Sequence, residues 1–234
     1  MNQAHLAFPE LAEVIINELT NINISLTSPL LKTKVLAYRI QNQDLLDWCN
    51  HELTGYLLLD QVPEYRRTTG DIYADYVKGT QVVRDQFVDL KGGPELYEMH
   101  MCQGIQTLET YTSPFVGETF EGAQRQVIVD HLSSQNRNLQ ISRIYKKTPA
   151  NIVLDILSTV RNRLLDFMLE MERTYEQVSD IKELKVFNPA ITNIVHNNIT
   201  NFGDGGIFNT GPEAHIVAEI SVDKSTGSTG QTKP

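Results

Sequence analysis

Cysteine is scarce: only Cys49 and Cys102 occur among 234 residues. Two thiols without metal-ligand spacing supply neither a disulfide framework nor a zinc site. Both are expected as reduced side chains packed like small hydrophobes. Long apolar runs are missing too: no stretch reaches the roughly 18 apolar residues of a membrane span. The N-terminal MNQAHLAFPELAEVI lacks the basic-then-apolar order of a signal peptide. Cationic excess is absent, with 20 Lys and Arg against 29 Asp and Glu and a formal net charge of -9. Broad binding to nucleic acid needs the opposite balance, because lysine and arginine must displace counterions from phosphates. GxxxxGK(S/T), HExxH and comparable ligand patterns do not occur, so no metal and no cofactor is expected. These absences lead to the expectation of a cytoplasmic protein with no membrane partner, and they argue against nucleic acid.

What is present is an ordinary apolar content of 41%, enough to bury a core, arranged mainly at helical spacing. Pro9 starts a first helix with Leu11, Val14, Ile15 and Leu19 on one face, interrupted at Asn21–Ser25. Ser28-Pro29 reads as a cap followed by a first-turn proline. The stripe Leu31, Val35 and Tyr38, with Leu36 beside it, is expected inside, and Lys32, Lys34 and Arg39 in water. Asn42 marks a break. Leu45, Leu46, Trp48, Cys49 and Leu53 form the next helix, with Gly55 as a left-handed terminator. Asp71–Val77 favours short strands, although an irregular connection fits as well. Residues 95–110 and 123–145 are open between helix and strand. Thr148-Pro149 repeats the start signal before a long amphipathic helix. Its stripe runs Val153, Ile156 or Leu157, Val160, Leu164, Phe167 or Met168, Met171 and Tyr175.

From Asn188 the texture changes. The run from Ile191 to Phe202 is asparagine-rich with interleaved branched residues, Gly203–Gly206 reads as a turn, and Ala214–Val222 alternates with period two. Two or three short strands cannot bury themselves alone. The fold class is therefore α+β: a mainly helical domain over residues 1–186 and a small β-rich oligomerisation segment over 187–223. A disordered Gly/Ser/Thr tail over 224–234 ends the chain. Ile194, Ile199, Phe202, Ile207, Phe208, Ile216 and Ile220 would line an interface in a homo-oligomer.

The string Ser28-Pro-Leu-Leu-Lys-Thr-Lys-Val-Leu-Ala-Tyr-Arg39, then Leu46-Asp-Trp48, Glu52-Leu-Thr-Gly-Tyr56 and Pro63-Glu-Tyr-Arg66 resembles the AbiTii domain of bacterial abortive-infection systems. Val160-Arg-Asn-Arg-Leu-Leu-Asp-Phe167 is similar to that family's second signature, with phenylalanine where tryptophan is usual. The likeness implies a role in phage defence, as a partner or regulator of the killing activity. It brings no catalytic residues.

Residue chemistry offers two further readings. Arg66, Arg67, Arg161 and Arg163 would form an anion site for a nucleotide signal if the long helix packs near the 63–67 turn; pairing with acids such as Glu52, Asp155 and Asp166 is the plainer alternative. Glu98, His100 and His131 would be the centre of a nuclease-type toxin, because strand spacing puts Glu98 and His100 on one side. The leading expectation is a non-catalytic, oligomerising component, with a defence-system partner protein in addition to its own copies.

Overall fold

A computed structural model describes residues 7–90, 93–135 and 138–200. These form seven α-helices and six strands, an α+β arrangement whose sheet lies in the middle of the chain. Helix α1 (Phe8–Thr20) buries Phe8, Leu11, Ala12, Ile15 and Leu19, while Val14, expected inside, is 38% exposed.

Helix α2 (Thr27–Ile40) corrects the expected stripe by one residue. Leu30, Thr33, Leu36, Ala37 and Ile40 face the core, and Leu31, Val35 and Tyr38 face water. Adjacent helical residues differ by about 100° in direction, so the Leu30-Leu31 doublet supports either face. A polar link decides. Ser28 Oγ donates to Glu18 of α1 and accepts from Lys32 Nζ, and Lys32 pairs with Glu18 at 2.6 Å. Ser28 thus ties two helices together instead of capping one. Thr33 can be buried because its hydroxyl donates to the Pro29 carbonyl at 2.9 Å.

Gln41 ends α2 in the left-handed region at φ 60°, returning its N–H to the Tyr38 carbonyl. Asn42 then caps α3 (Gln43–Thr54), accepting from the Leu45 N–H at 2.9 Å. At the end of α3, Gly55 has φ 94° and ψ 173°, an extended left-side conformation and not the expected helical cap. It bridges to Gln103. A Cβ there would lie 2.4 Å from the Cys102 carbonyl oxygen, so only glycine permits the approach.

The strands lie between α3 and the long helix. β1 (Arg67–Thr69) pairs with β4 (Glu98–His100). A four-stranded antiparallel sheet has the order β3-β2-β6-β5, built from β2 (Asp71–Lys78), β3 (Gln81–Phe87), β5 (Phe115–Thr119) and β6 (Leu139–Pro149). Ile72, Ala74 and Ile144 on its inner face pack with Val88, Leu90, Phe120 and Ile128. Ile128 comes from α5 (Gly122–Gln135). Thr148-Pro149 belongs to the end of β6 and does not start a helix. Pro149 is the last residue of β6, opposite Phe115 of β5 and beyond the stretch of β6 that pairs with β2, so no β2 partner needs the N–H it lacks.

The larger core is helical. α6 (Asn151–Tyr175) places Val153, Ile156, Val160, Leu164, Phe167, Met168, Met171 and Tyr175 inside, as its periodicity predicts. It packs with α1, the short α4 (Ile105–Glu109) and the helix over Asn188–Val195, in one core shared with α2 and α3. Cys49 in this core is fully buried, and burial followed by the charge of Glu52 pushes its thiol pKa far up. A thiol reagent at neutral pH should label partly exposed Cys102 and spare Cys49 until the protein unfolds, as read by peptide mass. Equal native-state labelling would contradict the packing.

The asparagine-rich segment departs from expectation. A 3-10 turn (Glu183–Phe187) leads into α7 (Asn188–Val195) and a π turn (His196–Thr200). Ile191, Ile194, Val195 and Ile199 are buried in the helical core. Their spacing of 3, 1 and 4 is helical, and Asn188-Pro189 begins the helix. Asn42 donates to Asn188 Oδ1 at 2.8 Å and Thr192 Oγ1 at 2.9 Å, tying α7 to the start of α3. Ile194 and Ile199 therefore belong to the chain's own core and are not a free interface. Phe202, Ile207, Phe208, Ile216 and Ile220, with the expected strand at 214–222 and the tail at 224–234, lie outside the described residues.

Candidate functional site

Residues that are separate in the sequence signature meet in one buried cluster. Glu52 projects from α3 and is fully buried, as is Arg66 from the turn before β1. Arg66 Nη2 donates to Glu52 Oε2 at 2.6 Å and its Nε to Oε1 at 3.3 Å. Tyr56 and Tyr65 donate their hydroxyls to Oε1 at 2.6 and 2.5 Å. Trp48 Nε1 donates to the Tyr65 oxygen at 3.2 Å. The other arm of Arg66 reaches the carbonyls of Met101 at 2.9 Å and Gln103 at 2.8 Å. The Glu52–Arg66 pair thus joins α3, the 63–66 turn and the strand-to-helix segment after β4.

The electrostatics follow from that geometry. Burial, then the Glu52 charge, raises the phenols of Tyr56 and Tyr65 well above the ordinary tyrosine range. Burial alone would lower the Arg66 pKa, but the charge and hydrogen bonds of Glu52 raise it. The Arg66 guanidinium is therefore held charged in an apolar setting. Arg163 of α6 stacks 4.2 Å above the Tyr65 ring and donates to the Ile199 carbonyl at 2.7 Å. A shallow groove of about 380 Å³ opens over this cluster, with Trp48, His51, Tyr56 and Tyr65 along it and Asp44, Asp47 and His196 at its polar rim. His196 and Asp44 approach to 3.1 Å.

Trp48, Glu52, Tyr56, Tyr65 and Arg66 are among the positions on which the family likeness rests. A family model described as AbiTii matches residues 10–197. The chain belongs to the AbiTii family. Membership places it in bacterial abortive-infection defence. No curated protein and no solved structure matches the chain.

Within this AbiTii chain the four expected anion-binding arginines have protein partners. Arg66 sits inside the cluster, and Arg163 bridges it to the π turn. Arg67 Nε donates to the Val62 carbonyl at 3.0 Å, with Glu64 at 3.9 Å. Arg161 donates to the carbonyls of Leu19 at 2.9 Å and Ile24 at 2.8 Å, satisfying acceptors left open where α1 ends. Arg66 pairs with the acid Glu52, whereas Arg161 binds carbonyls instead of Asp155 or Asp166.

Glu98 and His100 do stand together, with Oε1 and Nε2 3.3 Å apart on β4. Met99 between them points into the helical core. His131 lies on α5, whose Ile128 packs into the sheet cluster, so the three are spread over two packing units. Among the described residues, no group of His, Cys, Asp and Glu is arranged to hold a metal ion, and no helix is long and apolar enough to cross a membrane.

Leu57, Leu58 and Leu59, directly after the signature residue Tyr56, are 96%, 56% and 60% exposed.

Proposed function

We propose that this chain acts in abortive-infection defence as a non-catalytic interaction component that associates with its own copies in the cytoplasm. The exposed Leu57-Leu58-Leu59 turn carries this reading. A leucine left wholly in water forgoes about 1.5–3 kcal/mol of burial, which Leu57 does almost entirely and Leu58 and Leu59 in part, and three in succession on a surface mark a contact site. The turn is firmly held: Tyr56 N–H donates to the Cys102 carbonyl at 2.8 Å before it, and Gln61 N–H to the Leu58 carbonyl at 3.2 Å within it. Val62 just beyond is buried. A rigid apolar turn loses little entropy on docking.

The segment carrying Phe202, Ile207, Phe208, Ile216 and Ile220 remains the second element of the proposal. It would multiply contacts that the leucine turn begins, and a defence-system partner would meet the assembled particle. No cofactor or metal enters this reading. Light scattering on the full chain, on a chain ending at Thr200 and on L57S/L58S/L59S should give a defined oligomer for the first and smaller particles for the others. A monomeric full-length chain sinks the proposal.

The rival class, a nuclease-type toxin, draws on the Glu98–His100 pair at 3.3 Å. Breakdown of RNA or DNA by the purified protein, abolished by His100→Ala, would replace the interaction reading.

A further inference from the structure

A second group of positive side chains on this acidic chain lies apart from Arg66, Arg67, Arg161 and Arg163. A groove of about 570 Å³ runs between the end of α2 and the segment leading to α7. Ala37, Leu46 and Ile181 supply apolar surface, and Arg39, Lys182 and Lys185 line it. Among the described residues, no ion pair engages any of these three side chains. The one carboxylate in the lining, Asp180, accepts the Lys182 backbone N–H at 2.9 Å and so shapes the turn that presents the lysines. Tyr38 stands at the rim with 74% of its surface exposed.

Each feature has a chemical consequence. Three cations around one concavity, against one carboxylate, create a local positive potential on a chain of net charge -9, and concave walls focus it. Arginine's planar fork suits two oxygens of one phosphate, and lysines act as point charges on its neighbours. An exposed tyrosine ring offers a flat face to a nucleobase. The volume lies within the roughly 300–1,000 Å³ range of small-molecule sites. We propose that this groove binds a nucleotide, with its phosphates on Arg39, Lys182 and Lys185 and its base stacked on Tyr38.

The proposal is independent of the self-association reading, since Leu57–Leu59 do not line this groove. It also differs from the arginine site expected from sequence, because none of Arg66, Arg67, Arg161 or Arg163 takes part.

Calorimetric titration of the full-length protein at low salt with ATP, adenosine and inorganic pyrophosphate tests it. ATP should bind more tightly than either fragment, and its affinity should fall as sodium chloride screens the site. K182E/K185E should weaken ATP and pyrophosphate by at least about tenfold, the scale of losing charge-assisted phosphate contacts. Tyr38→Ala should weaken ATP about tenfold and leave pyrophosphate unchanged. All three side chains are at the surface, so circular dichroism should report unaltered folding. Absence of ATP and pyrophosphate binding up to about 1 mM overturns the site. ATP binding that is insensitive to K182E/K185E overturns it equally. Equal affinity for ATP and pyrophosphate removes the base from Tyr38.

Discussion

Glu52→Ala should destabilise the protein by about 3–5 kcal/mol, the cost of leaving one member of a buried ion pair without its partner. Arg66 would keep a guanidinium charge at zero exposure, with only the Met101 and Gln103 carbonyls left to accept from it. The hydroxyls of Tyr56 and Tyr65 would lose their acceptor in the same step, and buried unsatisfied donors cost further. Total stabilities of about 5–15 kcal/mol are usual, so much of the native population is at stake. Urea unfolding measures it. A double-mutant cycle adds a sharper readout: Glu52→Ala combined with Arg66→Met should cost less than the two single changes added, because the double variant buries no lone charge. Strict additivity would mean that the pair is not coupled in the way the geometry requires.

A chain ending at Leu184 should fail to fold, whereas one ending at Thr200 should fold. The shorter chain lacks Ile191, Ile194, Val195 and Ile199, all buried in the helical core. At about 1.5–3 kcal/mol for each buried side chain, the loss is of the same order as the stability of a whole domain. It also removes both Asn42 partners on α7 and the Ile199 carbonyl that receives Arg163. Thermal unfolding followed by circular dichroism separates the two chains. A cooperative transition at the same Tm in both would show that α7 is dispensable to the core. Only the cut at Thr200 bears on self-association, since the earlier one disrupts folding first.

The two chief departures from the sequence reading share a cause. In α2 the helix is legible but its inward face is not, because Leu30 and Leu31 support stripes one residue apart. In the segment from Ile191 to Ile199, apolar residues separated by polar asparagines fit a strand or a helix until one packing surface is supplied. The buried cluster was half visible. Trp48, Glu52, Tyr56, Tyr65 and Arg66 stand out as a pattern, yet no spacing rule states that one carboxylate would accept from two tyrosines and an arginine. The cationic groove was invisible in principle, since Arg39 and Lys185 are far apart along the chain and read singly as solvated charge.

The sequence alone determined the family and the long amphipathic α6, gave a mixed α+β class, and left Asp71–Val77 open between strands and an irregular connection. It could do so because periodicity, turn residues and motif order are local properties of the chain. Tertiary structure decided which face of α2 is buried, that the asparagine-rich segment is helical, and which guanidiniums are engaged by protein oxygens. It also decided that Leu57–Leu59 remain in water and that Arg39 meets Lys182 and Lys185. Those outcomes depend on neighbours distant in sequence, and only their positions in space set the burial and pairing energies that choose among locally equal options.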